Sequence, residues 1–478
     1  MNLTEELQRR FGYTEFRPGQ QEVIEHVLEG RDTIAVLPTG MGKSLCYQLP
    51  GYLMNGSVLI VSPLVSLMED QVAQMRKNGE KRVVALNSFL SYSEREKVIR
   101  QLDHFKFIFV SPEMLSRRTV VDYFRKLQLA LIVVDEAHCI SQWGFDFRPD
   151  YLRLGDFLKI IDRPPILALT ATADQKVMFD IPYYLQMRSP VVERQSLDRK
   201  NICYSVIRLK SSIEKMAWIK NRVSTTTGPG IIYTSSRKRS DELAKELQSI
   251  GVSCQSYHAG KEQDDRSIIQ SQFYNGELDW ICATNAFGMG IHIGNIRQVI
   301  HEHMPSTVAD YSQEVGRAGR DGLPSVATLL YMQSDEQLTS FIIQTDIPKE
   351  EQVRYYNNLL IDGMAPEEAA KLAGLSETGK RVIDYYMERF EVVEIIEKLL
   401  SLAEEKNTEL QTMLSLIVTT NCIRKNILSY FGEESNLKIP QCCSNCSLPE
   451  MEWLTVEKPS MNKHAIMTWD ERITKLLG

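Results

Sequence analysis

Residues 37–44 read LPTGMGKS, and they lie between the apolar stretch TIAV at 33–36 and the segment LCYQ at 45–48. A buried strand followed by a glycine turn and the first turn of a helix is an arrangement that binds phosphate. Free backbone N–H groups and the positive end of the helix then surround the phosphate. Lys43 is expected to reach the terminal phosphates, and the Ser44 hydroxyl to help hold Mg²⁺. The other expected contacts of this phosphate loop are Thr39, Gly40 and Gly42.

The phosphate loop alone is an incomplete signal, because Leu37 stands where the strict pattern has glycine and a simple turn before a helix has the same form. An acidic box supplies a second signal, since residues 135–138 read DEAH directly after the apolar run LIVV. A carboxylate at that strand end, Asp135, is placed to bind Mg²⁺ through water, and Glu136 to polarise the attacking water. The alternative is a solvated strand end, but the two motifs together favour nucleotide hydrolysis.

Length and composition bound the class of protein. A chain of 478 residues with 43% hydrophobic and 24% charged residues should fold as two to four soluble domains. A net charge of −7 gives no global argument for nucleic acid, so any basic contacts must be local. The sequence has neither a membrane-spanning apolar run nor the pattern of a signal peptide at its start. We therefore expect no membrane partner and a cytoplasmic location, associated with the nucleoid if the source is bacterial.

Short apolar runs alternate with amphipathic segments through the first 335 residues. The runs lie at 33–36, 57–61, 107–110, 131–134 and 166–169, and then at 230–233, 252–257, 280–283 and 298–300. Unbroken apolar runs separated by helical patterns favour parallel sheets covered on both faces. The sequence predicts the α/β class, with domains at 1–205 and 206–337 and a ligand cleft between them. A helical, zinc-binding region is expected at 338–455, followed by a tail at 456–478.

Residues 11–20, FGYTEFRPGQ, complete a set of motifs that resembles the superfamily-2 helicases of the RecQ family. The resemblance runs almost continuously from residue 11 to about 335, more weakly to about 447, and implies two RecA-like domains. It implies that Gln20 binds the edge of adenine while Tyr13 and Arg17 sandwich its face. Stacking combined with a bidentate amide is a sound way to recognise a flat heterocycle.

Residues 313–322, QEVGRAGRDG, form the second half of the implied ATP site. Two arginines three apart on one helical face can point across the cleft at the γ-phosphate as arginine fingers. Arg320 is the first choice for that role and Arg317 supports it, while Gln313 is expected to contact ATP and His138. Without the surrounding match, an arginine pair on a helix would be read as solvated surface.

Several segments resemble those that contact nucleic acid in the family. Residues 139–151, CISQWGFDFRPDY, match its aromatic-rich loop, which senses single-stranded DNA; Phe145 stands where histidine is usual, and a packed loop is the alternative. Aromatic rings of this kind stack on unpaired bases, worth about 1–3 kcal/mol each. Short hydroxyl-bearing turns suit phosphodiester oxygens. The expected DNA contacts are Trp143, Phe145, Phe147, Arg148, Ser62, Thr234, His258 and Thr284.

Four late cysteines have the spacing of metal ligands, unlike the five scattered earlier ones. They resemble the zinc subdomain of the family, although its last cysteine would fall at Pro449. The expected Zn²⁺ ligands are Cys422, Cys442, Cys443 and Cys446, with free thiols as the alternative. Only about 32 residues follow, which leaves no room for the family's winged-helix and terminal helical domains.

Residues 348–390 appear as an insertion before the zinc region. Within it, residues 363–383 have the pattern of a helix-turn-helix, with Lys380 and Arg381 on the second helix. An ordinary helical hairpin has the same pattern. The hypothesis is that this segment partly replaces the missing winged helix.

The leading interpretation is an ATP-dependent 3′→5′ DNA helicase used in recombination and repair. The resemblance implies the 3′→5′ direction and the preference for DNA. It also implies single-stranded and forked DNA as partners, and single-stranded DNA-binding protein or other repair proteins as protein partners. The cofactors implied are ATP, Mg²⁺ and a structural Zn²⁺. The alternatives are an RNA helicase, because DEAH boxes also occur there, and a DNA-binding or annealing scaffold whose ATPase is only a switch.

Overall fold

Two parallel sheets and a helical region make up the part of the protein that the structure describes. The structure, a computed structural model, describes residues 2–87, 89–141, 149–226, 228–288, 293–434 and 439–446. Within these ranges, no helix is both long and apolar enough to cross a lipid bilayer.

The first sheet contains, among the described residues, seven strands in the order β3-β4-β2-β5-β6-β1-β7, and all neighbours pair in parallel. Their bounds are β1 (Thr33–Val36), β2 (Ser57–Val61), β3 (Val83–Leu86), β4 (Phe107–Val110), β5 (Leu129–Val134), β6 (Ile166–Thr170) and β7 (Val191–Arg194). Ile34 packs into the apolar cluster on one face of this sheet and Ala35 into the cluster on the other. Because β5, β6 and β1 are neighbours, the segments that follow them meet at one edge of the sheet.

The second sheet is also parallel throughout, in the order β10-β11-β9-β12-β13-β8. Its strands are β8 (Ile202–Arg208), β9 (Gly230–Tyr233), β10 (Cys254–Tyr257), β11 (Trp280–Ala283), β12 (Gln298–His301) and β13 (Ser325–Tyr331). Ile231 and Ile232 of β9 point into different apolar clusters, so helices cover both faces. The expected division at 205/206 cuts through β8, which belongs wholly to this sheet.

Helices connect the strands and cover the sheets. In the first α/β domain they are α1 (Leu3–Phe11), α2 (Gln20–Leu28), α3 (Leu45–Leu53), α4 (Val65–Lys77), α5 (Tyr92–Arg100), α6 (Arg118–Phe124), α7 (Pro149–Leu152), α8 (Leu154–Ile160) and α9 (Gln175–Tyr184). In the second they are α10 (Ser212–Thr225), α11 (Arg237–Ser249), α12 (Gln263–Tyr274) and α13 (Val308–Val315).

The helical region follows β13 and joins both domains. It comprises α14 (Asp335–Asp346), α15 (Glu350–Ile361), α16 (Pro366–Leu372), α17 (Glu377–Met387), α18 (Val392–Val418) and α19 (Ile423–Tyr430). The first half of α18 packs through Ile395 and Leu399 into a cluster that also takes in Leu152 of the first domain. Its second half packs through Met413 and Ile417 into the core of the second domain. One helix of 27 residues therefore contacts both α/β domains.

A buried ion pair fixes α10 to the start of α14, and its loss should destabilise the second domain. Lys215 Nζ lies 2.5 Å from Asp335 Oδ2, and both side chains are only 7% exposed. We expect Lys215→Met to cost about 3–5 kcal/mol, because it leaves a buried carboxylate without its cation. Urea denaturation followed by tryptophan fluorescence measures this cost.

Lys220→Met on the same helix is the matched control. Lys220 pairs with Glu246 at 3.4 Å, but these side chains are 37% and 39% exposed. We expect this variant to lose less than about 1 kcal/mol. Equal losses in the two variants would contradict the assignment.

Candidate nucleotide and nucleic-acid site

The phosphate loop connects β1 to α3 through two glycines with positive φ. Gly40 has φ +89° and Gly42 has φ +71°, a region that other residues rarely adopt. A Cβ at Gly42 would also lie 2.9 Å from Gln20 Nε2. The Gln20 carboxamide donates to the carbonyl oxygens of Met41 at 2.7 Å and Gly42 at 3.1 Å. The loop therefore takes its shape from α2 as well as from its own glycines.

The three residues expected to bind adenine lie at different depths. Gln20 is buried, and its side-chain NH₂ group donates to the phosphate loop. Its Oε1 accepts the backbone N–H of Arg17 at 2.9 Å. The Arg17 guanidinium donates to the carbonyl oxygen of Gly40. Tyr13 is 60% exposed. Adenine binding by Tyr13, Arg17 and Gln20 stays a prediction.

The acidic box forms a tight turn after β5, which we call the acidic turn (residues 135–138). Glu136 adopts a left-handed conformation with φ +48°, and its N–H donates to Asp135 Oδ1 at 3.0 Å. The carbonyl oxygen of Asp135 accepts the Tyr151 hydroxyl at 3.0 Å. Lys43 Nζ lies 3.5 Å from Glu136 Oε1. The fold thus brings the phosphate loop and the acidic turn together across 93 residues of chain.

Electrostatics in the acidic turn favour a bound cation. Burial and the neighbouring Glu136 raise the pKa of Asp135 to about 6. Burial alone would raise the pKa of Glu136 too, but Lys43 and His138 outweigh it and hold that pKa below its usual value. Glu136 is thus compensated by its cationic neighbours, whereas the ionised form of the buried Asp135 would be stabilised by a further cation. The oxygen donors of Asp135 and Ser44 are those that Mg²⁺ prefers, so these residues fit the ion.

His138 links the acidic turn to β6. The ring is fully buried, and its Nδ1 lies 3.0 Å from Thr170 Oγ1 and 3.4 Å from Glu136 Oε2. The Thr170 hydroxyl donates to the carbonyl oxygen of Thr172 at 2.7 Å, so Nδ1 of His138 is the donor in their contact. The end of β6 and the residues that follow it, 170–172, therefore touch the acidic turn directly.

The segment at 313–322, which we call the finger segment, comes from the second domain and closes over the phosphate loop. A Cβ at Gly40 would lie 3.6 Å from Arg320 Cγ, and a Cβ at Gly316 would lie 3.2 Å from Thr39 Oγ1. Arg317 is buried and donates to the carbonyl oxygen of Gly288. Both predicted finger arginines therefore lie at the contact between the two domains.

Arg199, in the connection between the sheets, holds this segment in place. Its guanidinium donates to the carbonyl oxygens of Gly316 at 3.2 Å, Ala318 at 3.0 Å and Gly319 at 2.6 Å. Burial and the nearby cations of Arg317 and Arg199 lower the pKa of Arg320. Three guanidinium groups gathered at a buried site favour an anion such as a triphosphate. A single arginine in a linker carries no motif, so sequence reasoning missed Arg199.

A groove with a volume of about 710 Å³ opens beside the finger segment and is lined by both domains and the helical region. Thr234 and Thr284, two predicted DNA contacts, line it, and so does Gln313. Its walls also include Thr378 of α17 and Lys406 of α18. The contact of Gln313 with His138 stays a prediction.

Two other predicted DNA contacts are buried and do not line the groove, although residues next to His258 do. Ser62 is 1% exposed at the end of β2, and His258 directs Nε2 at both carboxylate oxygens of Asp241, each 3.1 Å away. The four predicted contacts of the aromatic-rich loop lie outside the described residues: Trp143, Phe145, Phe147 and Arg148.

The basic pair of the suggested helix-turn-helix is engaged within the protein. Lys380 Nζ lies 3.1 Å from Glu367 and 2.8 Å from Asp384, and Arg381 binds Asp150 of the first domain. The helices α16 and α17 do form around the turn at Gly374. Their basic side chains, however, hold the hairpin together and dock it, which favours the helical-hairpin interpretation.

Four cysteines form a compact cluster at the end of the helical region. Cys422 Sγ lies 3.5 Å from Cys442 Sγ and 3.9 Å from Cys443 Sγ, and Cys446 Sγ lies 3.4 Å from Cys443 Sγ. All four sulfur atoms lie within 4.8 Å of one another. A tetrahedral Zn²⁺ with bonds of about 2.3 Å requires sulfur atoms about 3.8 Å apart, so the four cysteines fit a structural zinc ion.

Comparison with known proteins agrees with this geometry. Family models match at residues 17–180 (DEAD/DEAH box helicase), 214–322 (helicase conserved C-terminal domain) and 390–447 (RecQ zinc-binding). The chain is 43% identical to the probable ATP-dependent DNA helicase RecS of Bacillus subtilis over 93% of its own length and 92% of that protein. The chain belongs to the RecQ family of helicases.

More distant matches define how far the likeness extends. The ATP-dependent DNA helicase RecQ of Pasteurella multocida is 41% identical over 68% of this chain, which corresponds to 51% of that protein. A solved structure of the DUF1998 helicase MrfA bound to DNA has a TM-score of 0.60 at 19% identity, covering 72% of this chain and 53% of that one. This last likeness shows the fold alone.

In this RecQ-family site, the buried Asp135 should destabilise the metal-free protein. A carboxyl group with a raised pKa costs stability once it ionises, and the cost vanishes below its unfolded-state pKa. We expect Asp135→Asn to increase the free energy of unfolding at pH 8 in EDTA by on the order of 2 kcal/mol, which appears as a higher thermal midpoint. The advantage should shrink as the pH falls through 6 towards 4.

Thermal unfolding at a series of pH values tests this expectation. Asp122→Asn, at an exposed position of α6, is the control and should leave the midpoint unchanged. A lower midpoint of Asp135→Asn at pH 8 would show that the carboxylate is compensated without a metal.

Cys442 should act as the fourth zinc ligand. We expect Cys442→Ser to retain far less than the one zinc ion per chain that a four-thiolate site holds. Elemental analysis by mass spectrometry measures the zinc content, and Cys254→Ala, in the core of the second sheet, should retain all of it. Full zinc retention by Cys442→Ser would remove Cys442 from the ligand set.

Proposed function

We propose that the protein is an ATP-dependent DNA helicase that moves 3′→5′ along single-stranded DNA and unwinds duplex or forked DNA in recombination and repair. The observation that carries the proposal is the closure of the finger segment over the phosphate loop beside a groove lined by both domains. Membership of the RecQ family supports DNA as the substrate. The same family resemblance supports the 3′→5′ direction.

The residues of the closed site would divide the chemistry between them. Lys43 would leave Glu136 for the terminal phosphates of ATP, and Glu136, kept ionised by its cationic neighbours, would then orient the attacking water. Ser44 and Asp135 would hold Mg²⁺, which neutralises charge on the phosphates. Arg320 and Arg317 would stabilise the charge that develops on the transferred phosphoryl group.

Movement along the strand would follow from the dependence of closure on the nucleotide. ATP contacts both domains and favours the closed arrangement, whereas the products lack one of those contacts. Thr234 and Thr284 on the second domain would hold one part of a strand in the groove. If the first domain holds the adjacent part, each cycle of closing and opening advances the strand.

ATPase and strand-separation assays with single-stranded DNA, RNA and forked duplexes test the proposal. We expect DNA to stimulate hydrolysis and unwinding to require a 3′ tail. Lys43→Ala should reduce hydrolysis by about 100-fold or more, since it removes a cation from the developing charge. The control is Lys77→Ala at the exposed end of α4, which should behave as wild type.

The alternatives predict different outcomes in the same assays. Stimulation by RNA alone would overturn the DNA assignment. DNA-stimulated hydrolysis without strand separation would identify a scaffold whose ATPase is a switch. Unwinding that requires a 5′ tail would reverse the proposed direction.

A further inference from the structure

The short helix α7 lies between the acidic turn and the helical region, and its successive side chains face different neighbours. Tyr151 is fully buried in the core of the first sheet, and its hydroxyl donates to the carbonyl oxygen of Asp135. Leu152 packs into the apolar cluster of the helical region. Asp150 binds Arg381 of α17. One turn of helix therefore contacts the acidic turn on one side and the helical region on the other.

Further ion pairs hold α17 against the same part of the first domain. The Arg153 guanidinium binds both carboxylate oxygens of Glu388 at 2.8 Å, and Arg389 pairs with Asp156 of α8 at 2.5 Å. Both arginines lie over the Tyr385 ring. The position of α7 is thus fixed jointly by the first domain and by α17.

The helix α17 also reaches the groove. Thr378 lines the groove, and Arg381, three residues later, binds Asp150. Residues three apart lie on neighbouring positions of one helical face. The path from the groove to the acidic turn therefore runs along α17 from Thr378 to Arg381, across the ion pair to Asp150, and along α7 to Tyr151.

We propose that Tyr151 is a positioning residue for the acidic turn, and that the helical region sets its position through the Asp150–Arg381 pair. The proposal rests on the ATPase activity proposed above. Glu136 is held in a left-handed conformation, so a hydrogen bond to the preceding carbonyl oxygen limits how the turn can relax. A shift of α17 when the groove is filled would move α7 and, with it, the carboxylates of the acidic turn.

Tyr151→Phe tests the positioning role, because it removes the hydroxyl and keeps the buried ring. We expect kcat of the DNA-stimulated ATPase to fall about five-fold, the size of one lost hydrogen bond. The Mg²⁺ concentration needed for half-maximal binding of a fluorescent ATP analogue should rise, while the thermal midpoint changes little. Unchanged kcat and unchanged Mg²⁺ dependence would overturn the role of Tyr151.

A charge exchange tests the connection to the helical region. Arg381→Asp should lower DNA stimulation of the ATPase, and the double variant Asp150→Arg with Arg381→Asp should restore most of it. Arg354→Asp, which breaks an exposed pair with Glu350 on α15, is the control and should leave stimulation unchanged. If the double variant is no better than Arg381→Asp alone, the connection is wrong although the helicase assignment stands. Absence of DNA-stimulated ATPase in the wild type would overturn both proposals.

Discussion

The contact between the phosphate loop and the finger segment is the constraint on which the rest of the site depends. Gly40 and Gly316 allow the two backbones to approach so closely that a side chain at either position would meet the opposite domain. Arg317 is buried here, and burial together with the cations of Arg317 and Arg199 lowers the pKa of Arg320, so a further anion at this contact would be favourable. Closure and binding of an anionic nucleotide therefore favour each other, and neither domain alone forms the complete site.

Sequence patterns predicted the central strands well, for a physical reason. Strands such as β1, β4, β9 and β11 have neighbours or helices on all sides, so both faces must be apolar and the run is unbroken. The patterns missed β7 and β8, which lie at sheet edges and mix apolar with polar residues. They also missed β13, because the polar residues Ser325 and Thr328 interrupt its apolar run although both are buried in the folded protein.

The candidate site shows the same division between local and long-range information. Motifs describe local backbone shape, so they predicted the phosphate loop and the acidic turn, and the fold brings Lys43 and Glu136 within 3.5 Å. Arg199 lies in no motif, and Tyr151 is the last residue of the aromatic-rich motif, which does not predict its partner. The partners of both residues are decided by how the sheets and α7 pack. Lys380 and Arg381 show the limit of interpreting charge from sequence alone. Their charge suggested DNA, but acidic side chains of α16, α17 and α7 pair with both groups.

The two ends of the helical region are attached with unequal strength. Near the cysteine cluster, Arg424 is buried against Asp198 at 2.5 Å, and the Tyr204 N–H donates to the carbonyl oxygen of Cys442, so this end is part of the second domain. At the other end, pairs such as Lys176–Glu405 are about half exposed, and each contributes about 0–1 kcal/mol. Exposed pairs are also weakened by salt, whereas the buried anchor is screened much less. The exposed pairs with the first domain should therefore respond to ionic strength more than the buried attachment to the second domain does.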